Sequence, residues 1–411
     1  MKYILVIGDG MADDPIDKLG GKTPLEYAKT PAMDALASAG ALGSVLTIPE
    51  GLPAGSDVAI LSIFGCDPHK CYTGRAPLEA AATGIKLSPG DAAYRCNMVT
   101  FEDGDMPFEE KKIVSHSAGS IEGQLSVELI EELLEMQEFK KAASDAGITV
   151  YPALSFRHIA VQKSCDITGL ELTPPHDHLG ETVGMHLPRG GKNAGVLEGL
   201  LRLAHKLLDK HPTNTKRRAE GKLPANGIWF WAEGTVAELP SFGSMYKKTG
   251  GVVSAVPLCR GIGALIGLHS VHVEGATGEL NTNYEGKADA VFEILKENDF
   301  AAVHIEAPDE CSHDGDLSGK IQAIEWIDSR IVAPITNRMR GAGIEYRMLV
   351  ISDHRTLLST RGHDDSPVPF LLYDSRVNKN TGLRFCEEDM AHGRVVASGT
   401  DLMGILFEDL L

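Results

Sequence analysis

Short apolar runs that end in polar residues alternate along this chain with longer stretches of helical periodicity. The first run, at 3–7, is rich in branched side chains and stops at Asp9, which stands between two glycines. This is the pattern of a buried parallel strand. Similar runs follow at 300–305, 347–352 and 368–373.

Helical stretches lie between these runs. Thr30 and Pro31 supply a capping residue and a proline at the first helical position, and Gly40 ends that helix. Apolar residues at helical spacing predict further helices around 288–295 and 321–331. Because strands and helices alternate, the pattern predicts an α/β fold whose mostly parallel sheet is covered by helices on both faces.

The middle of the chain has a different pattern, with short alternating segments, polar turns and an acidic amphipathic helix at 125–136. We interpret residues 87–180 as a smaller inserted α+β domain that acts as a cap over the substrate. Residues 1–86 and 181–411 would then form the core domain. The basic stretch 210–226 has little apolar content and is predicted to be a solvated surface loop.

Composition narrows the function classes. The chain has 411 residues, of which 43% are hydrophobic and 23% charged, as in ordinary globular proteins. Lys and Arg number 39 against 57 for Asp and Glu, and this net charge of −18 argues against nucleic-acid binding. A phosphorylated small substrate stays compatible, because bound metals can reverse the field inside a cleft.

The compartment is also predicted from composition. No apolar run approaches the roughly 20 residues that span a bilayer, and the first residues do not resemble a signal peptide. Seven cysteines without a CxxC pair suggest a reducing compartment. We therefore expect a soluble cytoplasmic protein without a membrane partner, and its oligomeric state stays open.

Side chains suited to metal coordination stand at the ends of the predicted strands. In open α/β sheets the carboxyl ends of parallel strands face one side, so these side chains are expected to converge. Three carboxylates and three imidazoles could hold two divalent cations, and a pair about 4 Å apart can clamp an in-line phosphoryl displacement. The candidates are Asp9, Asp309, His313, Asp353, His354 and His363.

Ser56 is the candidate nucleophile. It follows a turn-rich segment and opens a helical pattern, where free backbone N–H groups favour a bound phosphate. A metal in contact with its hydroxyl would lower the pKa of that hydroxyl and favour the alkoxide. The alternative is a plain helix cap, a role that serine serves well.

Each candidate ligand also has a simpler interpretation. Asp9 could be a turn residue, Asp309 and His313 a surface helical pair, Asp353 a helix cap, and His363 an exposed loop residue. Only their joint occurrence beside strand ends favours a metal site.

In this order, the candidates resemble the signature of the alkaline phosphatase superfamily. More narrowly, the chain is similar to archaeal-type cofactor-independent phosphoglycerate mutases over nearly its whole length. The supporting segments are Gly21-Lys22-Thr23-Pro24-Leu25, Ala28-Lys29-Thr30-Pro31, Gly51-Leu52-Pro53-Ala54-Gly55-Ser56, Gly74-Arg75-Ala76-Pro77-Leu78-Glu79-Ala80, Leu223-Pro224-Ala225-Asn226, Arg260-Gly261-Ile262-Gly263 and Ser352-Asp353-His354.

The resemblance implies a metal-dependent interconversion of 3-phosphoglycerate and 2-phosphoglycerate through a phosphoserine on Ser56. It implies two divalent cations, with manganese as first choice and magnesium, zinc or cobalt as alternatives. One cation would be held by Asp9, Ser56, Asp353 and His354, and the other by Asp309, His313 and His363.

One departure concerns the substrate. Mutases of this type usually carry an Asp-Arg pair in the inserted domain, whereas the aligned stretch 114–120 has no arginine. Phosphotransfer to homoserine from ATP or another phosphate compound, and phosphatase activity, therefore stay open as alternatives. The remaining candidate anion binders are Arg75, Arg157, His158 and Arg260.

Overall fold

The computed structural model describes residues 1–121 and 123–408. The chain divides into two compact units: Met1–Tyr72 with Glu238–Leu411, called the core unit below, and Thr73–Ala237, called the insertion. The insertion thus extends beyond the predicted 87–180 at both ends, because a flanking helix and a long strand pack with its own sheet.

The strands within the described residues fall into an eight-stranded sheet and a small hairpin in the core unit, and a second sheet in the insertion. They are β1 (Lys2–Gly8), β2 (Ala41–Val45), β3 (Ala92–Phe101), β4 (Ile113–Ser115), β5 (Ile148–Tyr151), β6 (Arg157–Gln162), β7 (Gly227–Thr235), β8 (Gly250–Val253), β9 (His269–Val271), β10 (Phe300–Ile305), β11 (Tyr346–Ile351), β12 (Arg355–Leu357), β13 (Gly362–Asp364), β14 (Val368–Asp374) and β15 (Arg394–Val396).

Helices connect most of these strands. A π-helical segment at Ile327–Val332 joins the two helices Leu317–Trp326 and Ala333–Gly341. The α-helices are α1 (Pro24–Tyr27), α2 (Pro31–Ala39), α3 (Ser56–Ile63), α4 (Pro68–Cys71), α5 (Arg75–Ala82), α6 (Gln124–Glu135), α7 (Gln137–Asp145), α8 (Ala194–Leu208), α9 (Pro212–Ala219), α10 (Phe242–Tyr246), α11 (Pro257–Leu265), α12 (Tyr284–Glu297), α13 (Ala307–Asp314), α14 (Leu317–Trp326), α15 (Ala333–Gly341), α16 (Glu387–Met390) and α17 (Leu402–Phe407).

The sheet of the core unit has the strand order β15-β2-β14-β11-β1-β10-β8-β9. Its strands run in one direction except β14, which is antiparallel to both β11 and β2. Ile4 and Val6 of β1 pack toward α2, α12 and α15 on one face of the sheet. The helices α3, α11 and α17 lie on the opposite face of the sheet. The predicted α/β class, with a mostly parallel sheet covered on both faces, is confirmed.

The insertion is built on an antiparallel sheet. The long strand β3 pairs with β6, β7 and, at its end, β4, and β5 pairs with the far side of β6. Alternation along β3 points Ala92 to a core shared with α6, α7 and α8, and Ala93 to a smaller core under α5.

The prediction of a surface loop at 210–226 was wrong. The segment contains α9, which begins with Pro212 at the first helical position after the cap residue His211. Arg217 of this helix is buried and donates from Nη2 to the Ala118 carbonyl oxygen at 2.9 Å. A basic residue of this segment therefore donates hydrogen bonds to backbone carbonyl oxygens and does not simply face solvent.

Candidate metal centre and nucleophile

The candidate ligands meet at one edge of the core sheet. The parallel neighbours β1, β10 and β11 end there, followed by Asp9, Asp309 and Asp353 respectively. His363 lies in β13 and precedes β14; it joins the group because β14 runs in the opposite direction and so begins where the others end. The convergence expected from the sequence is therefore present.

Ser56 is the first residue of α3 and lies among these side chains. Its Oγ is 3.3 Å from Asp9 Oδ2 and 3.1 Å from His354 Nε2. The start of the helix is held by its neighbour Asp57, whose carboxylate accepts a 2.6 Å hydrogen bond from the Tyr72 hydroxyl. The hydroxyl of Ser56 thus occupies a defined position at a helix N-terminus.

Asp309, His313 and His363 form one ligand set, with one ligand atom of each within 4.8 Å of the others. The Nε2 atoms of the two histidines lie 3.0 Å apart. Each ring places Nδ1 beside a backbone carbonyl oxygen, that of Arg361 at 2.9 Å and that of Ala54 at 3.2 Å. Because carbonyls only accept, both rings carry their proton on Nδ1 when neutral and direct Nε2 lone pairs at one another.

Two facing lone pairs require a positive species, either a proton or a cation. The pKa of His313 rises to about 9, chiefly because the protonated ring hydrogen bonds to Asp309. A proton is therefore bound readily at this position. Burial opposes ionisation of Asp309, but the interactions of its carboxylate with His313 and His363, which donate from Nε2 when protonated, hold the pKa of Asp309 well below its ordinary range. The set suits a divalent cation, which would satisfy both imidazoles and the carboxylate together.

His354 is oriented by Thr356. The Thr356 hydroxyl donates to Asp309 Oδ1 at 2.5 Å, so its oxygen accepts the proton of His354 Nδ1 at 3.1 Å. This fixes the tautomer of His354 and leaves its Nε2 lone pair facing Ser56 and Asp9. Burial lowers the pKa of His354, which keeps that lone pair free of a proton.

Two carboxylate oxygens of this centre lack a hydrogen-bond partner within the described part of the chain. Asp9 Oδ1 and Asp353 Oδ2 are buried, and the described residues give neither atom a hydrogen bond. Burial, with repulsion from Asp353 and Asp309, raises the pKa of Asp9 well above its ordinary range. Buried carboxylates are retained when they are paired or coordinate metals, so this donor set also fits a divalent cation.

The sequence prediction missed His304. Its Nε2 donates to Asp9 Oδ2 at 2.9 Å, and its Nδ1 lies 3.1 Å from the Ser254 hydroxyl. Burial lowers the pKa of His304 to about 4, so the ring is neutral and serves to orient Asp9. The available signal was a single polar residue in the otherwise apolar run 300–305.

Comparisons with known proteins agree with this geometry. A family model described as 2,3-bisphosphoglycerate-independent phosphoglycerate mutase matches residues 37–214. A protein of this name from Methanosarcina barkeri is 45% identical to this chain, over 99% of both chains. A protein from Geobacter sulfurreducens, named as a probable mutase of this kind, is 42% identical over 99% of this chain and 100% of its own length.

Solved structures give the same result. A Pyrococcus horikoshii protein superposes with a TM-score of 0.81 at 31% identity, covering 98% of this chain and 96% of that one. A cofactor-independent phosphoglycerate mutase from Thermoplasma acidophilum gives 0.64 at 27% identity, covering 99% of both chains.

This chain belongs to the family of 2,3-bisphosphoglycerate-independent phosphoglycerate mutases. The resemblance noted from the sequence is confirmed, and the chain is an enzyme of this class. The homoserine kinase alternative is not favoured, because the relatives that match this chain over 99% of its length are named as mutases. Within the part of the chain that the structure describes, no helix combines the length and apolarity that crossing a membrane requires.

Within this mutase-family chain, the predicted anion binders occupy different environments. Arg260 lies on α11, which packs against α3, and no described residue pairs with its buried Nε. Arg75 forms an ion pair with Glu79 at 3.3 Å on α5. The His158 ring is buried, its Nδ1 accepts from the Ala153 amide, and burial lowers its pKa to about 4.

Arg157 belongs to an arginine–aromatic cluster of the insertion, formed by Arg95, Arg157, His116, His176 and Trp231. The guanidinium of Arg95 lies 4.5 Å from the Trp231 ring centroid, and that of Arg157 lies 5.9 Å from it. His176 packs edge-on against both Trp231 and His116. Burial, together with the charge of Arg157, lowers the pKa of His116. Burial also lowers the pKa of His176, so the cluster combines two guanidinium groups with two imidazoles of lowered pKa.

Proposed function

We propose that this chain interconverts 3-phosphoglycerate and 2-phosphoglycerate through a phosphoserine on Ser56, with two divalent cations bound beside it, manganese being the first choice. The observation that carries the proposal is the position of the Ser56 hydroxyl. It stands at the start of α3 and within hydrogen-bonding distance of Asp9 and His354.

The proposed ligand sets are those that the family resemblance implies. One cation would be held by Asp9, Ser56, Asp353 and His354, and the other by Asp309, His313 and His363, with His304 and Thr356 fixing the orientation of ligands. Such ions stabilise the charge on the phosphoryl oxygens and lower the pKa of a bound hydroxyl.

The side chains then divide the reaction into two transfers. Ser56 Oγ attacks the phosphorus of 3-phosphoglycerate, the bond from phosphorus to the 3-oxygen breaks, and the serine proton ends on that oxygen. The 2-hydroxyl of glycerate next attacks the phosphorus of the phosphoserine, the bond from phosphorus to Ser56 Oγ breaks, and the proton of the 2-hydroxyl returns to Ser56 Oγ. Backbone N–H groups at the start of α3 bind the phosphoryl oxygens in both steps.

Glycerate must be retained between the transfers, since its loss would leave a phosphoserine open to hydrolysis. Within the insertion, we assign anion binding to the arginine–aromatic cluster. Arg157 comes from β6, but its charge acts on His116, within the stretch that has no arginine of its own. It would supply the guanidinium that related mutases are expected to carry in that stretch.

The test is direct. Purified protein with manganese and 3-phosphoglycerate is expected to form 2-phosphoglycerate, measured by phosphorus NMR. Ser56→Ala should abolish the product and the phosphoserine found by mass spectrometry. The control Ser144→Ala, at an exposed serine of α7, should leave both unchanged.

Other products would contradict the proposal. Inorganic phosphate without 2-phosphoglycerate would indicate a phosphatase. Phosphohomoserine formed from ATP and homoserine, without mutase activity, would indicate a phosphotransferase. Full mutase activity in Ser56→Ala would exclude the covalent route.

A further inference from the structure

A second group of metal-suited side chains lies in the insertion. His178, Glu181 and His186 each place one ligand atom within 4.8 Å of the other two. All three belong to one short segment, which contains the 3-10 turns Pro175–His178 and Val183–Met185. None of them belongs to the ligand sets described for the core unit.

The nitrogen atoms of both rings face the same carboxylate oxygen. Glu181 Oε2 is 2.7 Å from His186 Nε2 and 3.4 Å from His178 Nδ1. The rings are stacked, with their centroids 3.9 Å apart and their planes 21° from parallel. The side chain of His186 is only 10% exposed, while those of His178 and Glu181 are reached by solvent.

The backbone holds this arrangement in place. The Gly180 amide donates to the Ile113 carbonyl oxygen at 2.8 Å, and the Ile113 amide donates to the Glu181 carbonyl oxygen at 3.0 Å. The Val183 amide donates to the Lys111 carbonyl oxygen at 2.8 Å. The segment that carries the carboxylate is thus anchored to β4 and the residues before it, so the three groups are positioned without a ligand.

We propose that His178, Glu181 and His186 bind one zinc ion, or a similar first-row divalent cation, in a site separate from the catalytic centre. Two imidazoles and a carboxylate are a recognised zinc donor set that leaves a fourth position for water. Mixed nitrogen and oxygen donors with two imidazoles also favour zinc over manganese.

The expected role is structural. A cation joining His178 to His186 would link the two 3-10 turns across the intervening loop. The first turn also carries His176, whose ring packs 5.1 Å from Trp231 in the arginine–aromatic cluster. The zinc would therefore stabilise the loop that supports one side of that cluster. This inference does not depend on the proposed reaction.

Zinc stoichiometry tests the proposal in the full-length protein. The protein is saturated with manganese, titrated with zinc, separated from free metal and measured by atomic absorption. The unmodified chain should bind one more zinc per chain than His178→Ala or His186→Ala. Any zinc that enters the catalytic centre is common to all variants and cancels in the difference.

Two further variants make the result specific. Glu181→Gln keeps the shape of the side chain and should weaken the same zinc site. His211→Ala removes a histidine from another His–Glu pair of the insertion, at 2.8 Å from Glu132, and should keep the full stoichiometry, because His211 belongs to no metal-suited group among the described residues. Equal zinc content in the unmodified chain and in folded His178→Ala and His186→Ala, checked by circular dichroism, would overturn the proposal.

Discussion

Gly10, directly after the candidate ligand Asp9, shows how a single backbone position shapes the centre. Its φ is 60°, in the left-handed region that glycine adopts readily. A Cβ at this position would lie 2.9 Å from Asp309 Oδ1 and would overlap the Thr356 hydroxyl. Thr356 orients both Asp309 and His354. A side chain at position 10 would therefore displace Thr356 and change the geometry of these candidate ligands.

Gly10→Ala is therefore expected to lower kcat by about a hundredfold, the scale of a misplacement near 1 Å at reacting groups. Gly20→Ala is the matched control, with φ of 70° and no atom within 4 Å of the added Cβ. It carries the same backbone strain, about 1 kcal/mol, and should leave turnover unchanged. Equal loss of activity in the two variants would show that strain, and not the clash, is responsible.

At the scale of elements, a buried ion pair joins α5 to β3 in the insertion. Arg95 donates from Nε to Glu79 Oε2 at 2.8 Å, and its second nitrogen contacts the other carboxylate oxygen. Burial opposes ionisation of Glu79, but the charge of Arg95 and its hydrogen bonds lower the pKa from 4.5 to about 2. The pair therefore stabilises the packing of the helix on the sheet only while Glu79 is ionised.

The sign of the pH dependence follows from this shift. Because the folded-state pKa lies below the unfolded one, the stabilisation is complete above about pH 4.5 and is lost as the pH falls toward 2. The shift corresponds to about 3 kcal/mol. Glu79→Gln should thus lower the free energy of unfolding at pH 7, with a smaller difference from the unmodified chain at pH 3, measured by denaturant unfolding.

The exposed pair of Glu138 and Lys206 provides a control, since their side chains are 61% and 66% exposed. Glu138→Gln should change the free energy of unfolding by less than about 1 kcal/mol at either pH. A cost of Glu79→Gln that does not vary with pH would contradict the assigned ionisation.

At the scale of the whole molecule, a chain with a net charge of −18 buries three carboxylates around one point. Asp9, Asp309 and Asp353 repel one another there, as the raised pKa of Asp9 indicates. Cations that bind only the folded state offset this repulsion and stabilise the fold by mass action.

Chelation should consequently lower the melting temperature, and manganese should restore it. Manganese at a hundred times its Kd would contribute about 2.7 kcal/mol per site. Asp353→Asn removes one repelling charge, so it should melt no lower than the unmodified chain in chelator but gain less from manganese. Glu293→Gln, at an exposed glutamate of α12, should respond like the unmodified chain. A melting temperature insensitive to manganese in the unmodified chain would contradict metal binding at this centre.

The sequence by itself determined the α/β class, the strands that lead into Asp9, Asp309 and Asp353, and the family. These features are local: apolar periodicity marks each strand, and the polar residue at its end follows within a few positions. Because the strands of such a sheet end on one side, the meeting of most candidate ligands could also be predicted.

Only the tertiary structure decided the direction of β14, which brings His363 to the same edge, and the position of His304 behind Asp9. The tertiary structure also decided that Arg157 lies near His116 and that His158 and Arg217 are buried. It further decided that the side chains of His178, Glu181 and His186 lie close together. Each of these depends on which segments pair and which face they bury. That choice follows from the free energy of contacts between segments distant in the chain, and no local pattern of residues encodes it.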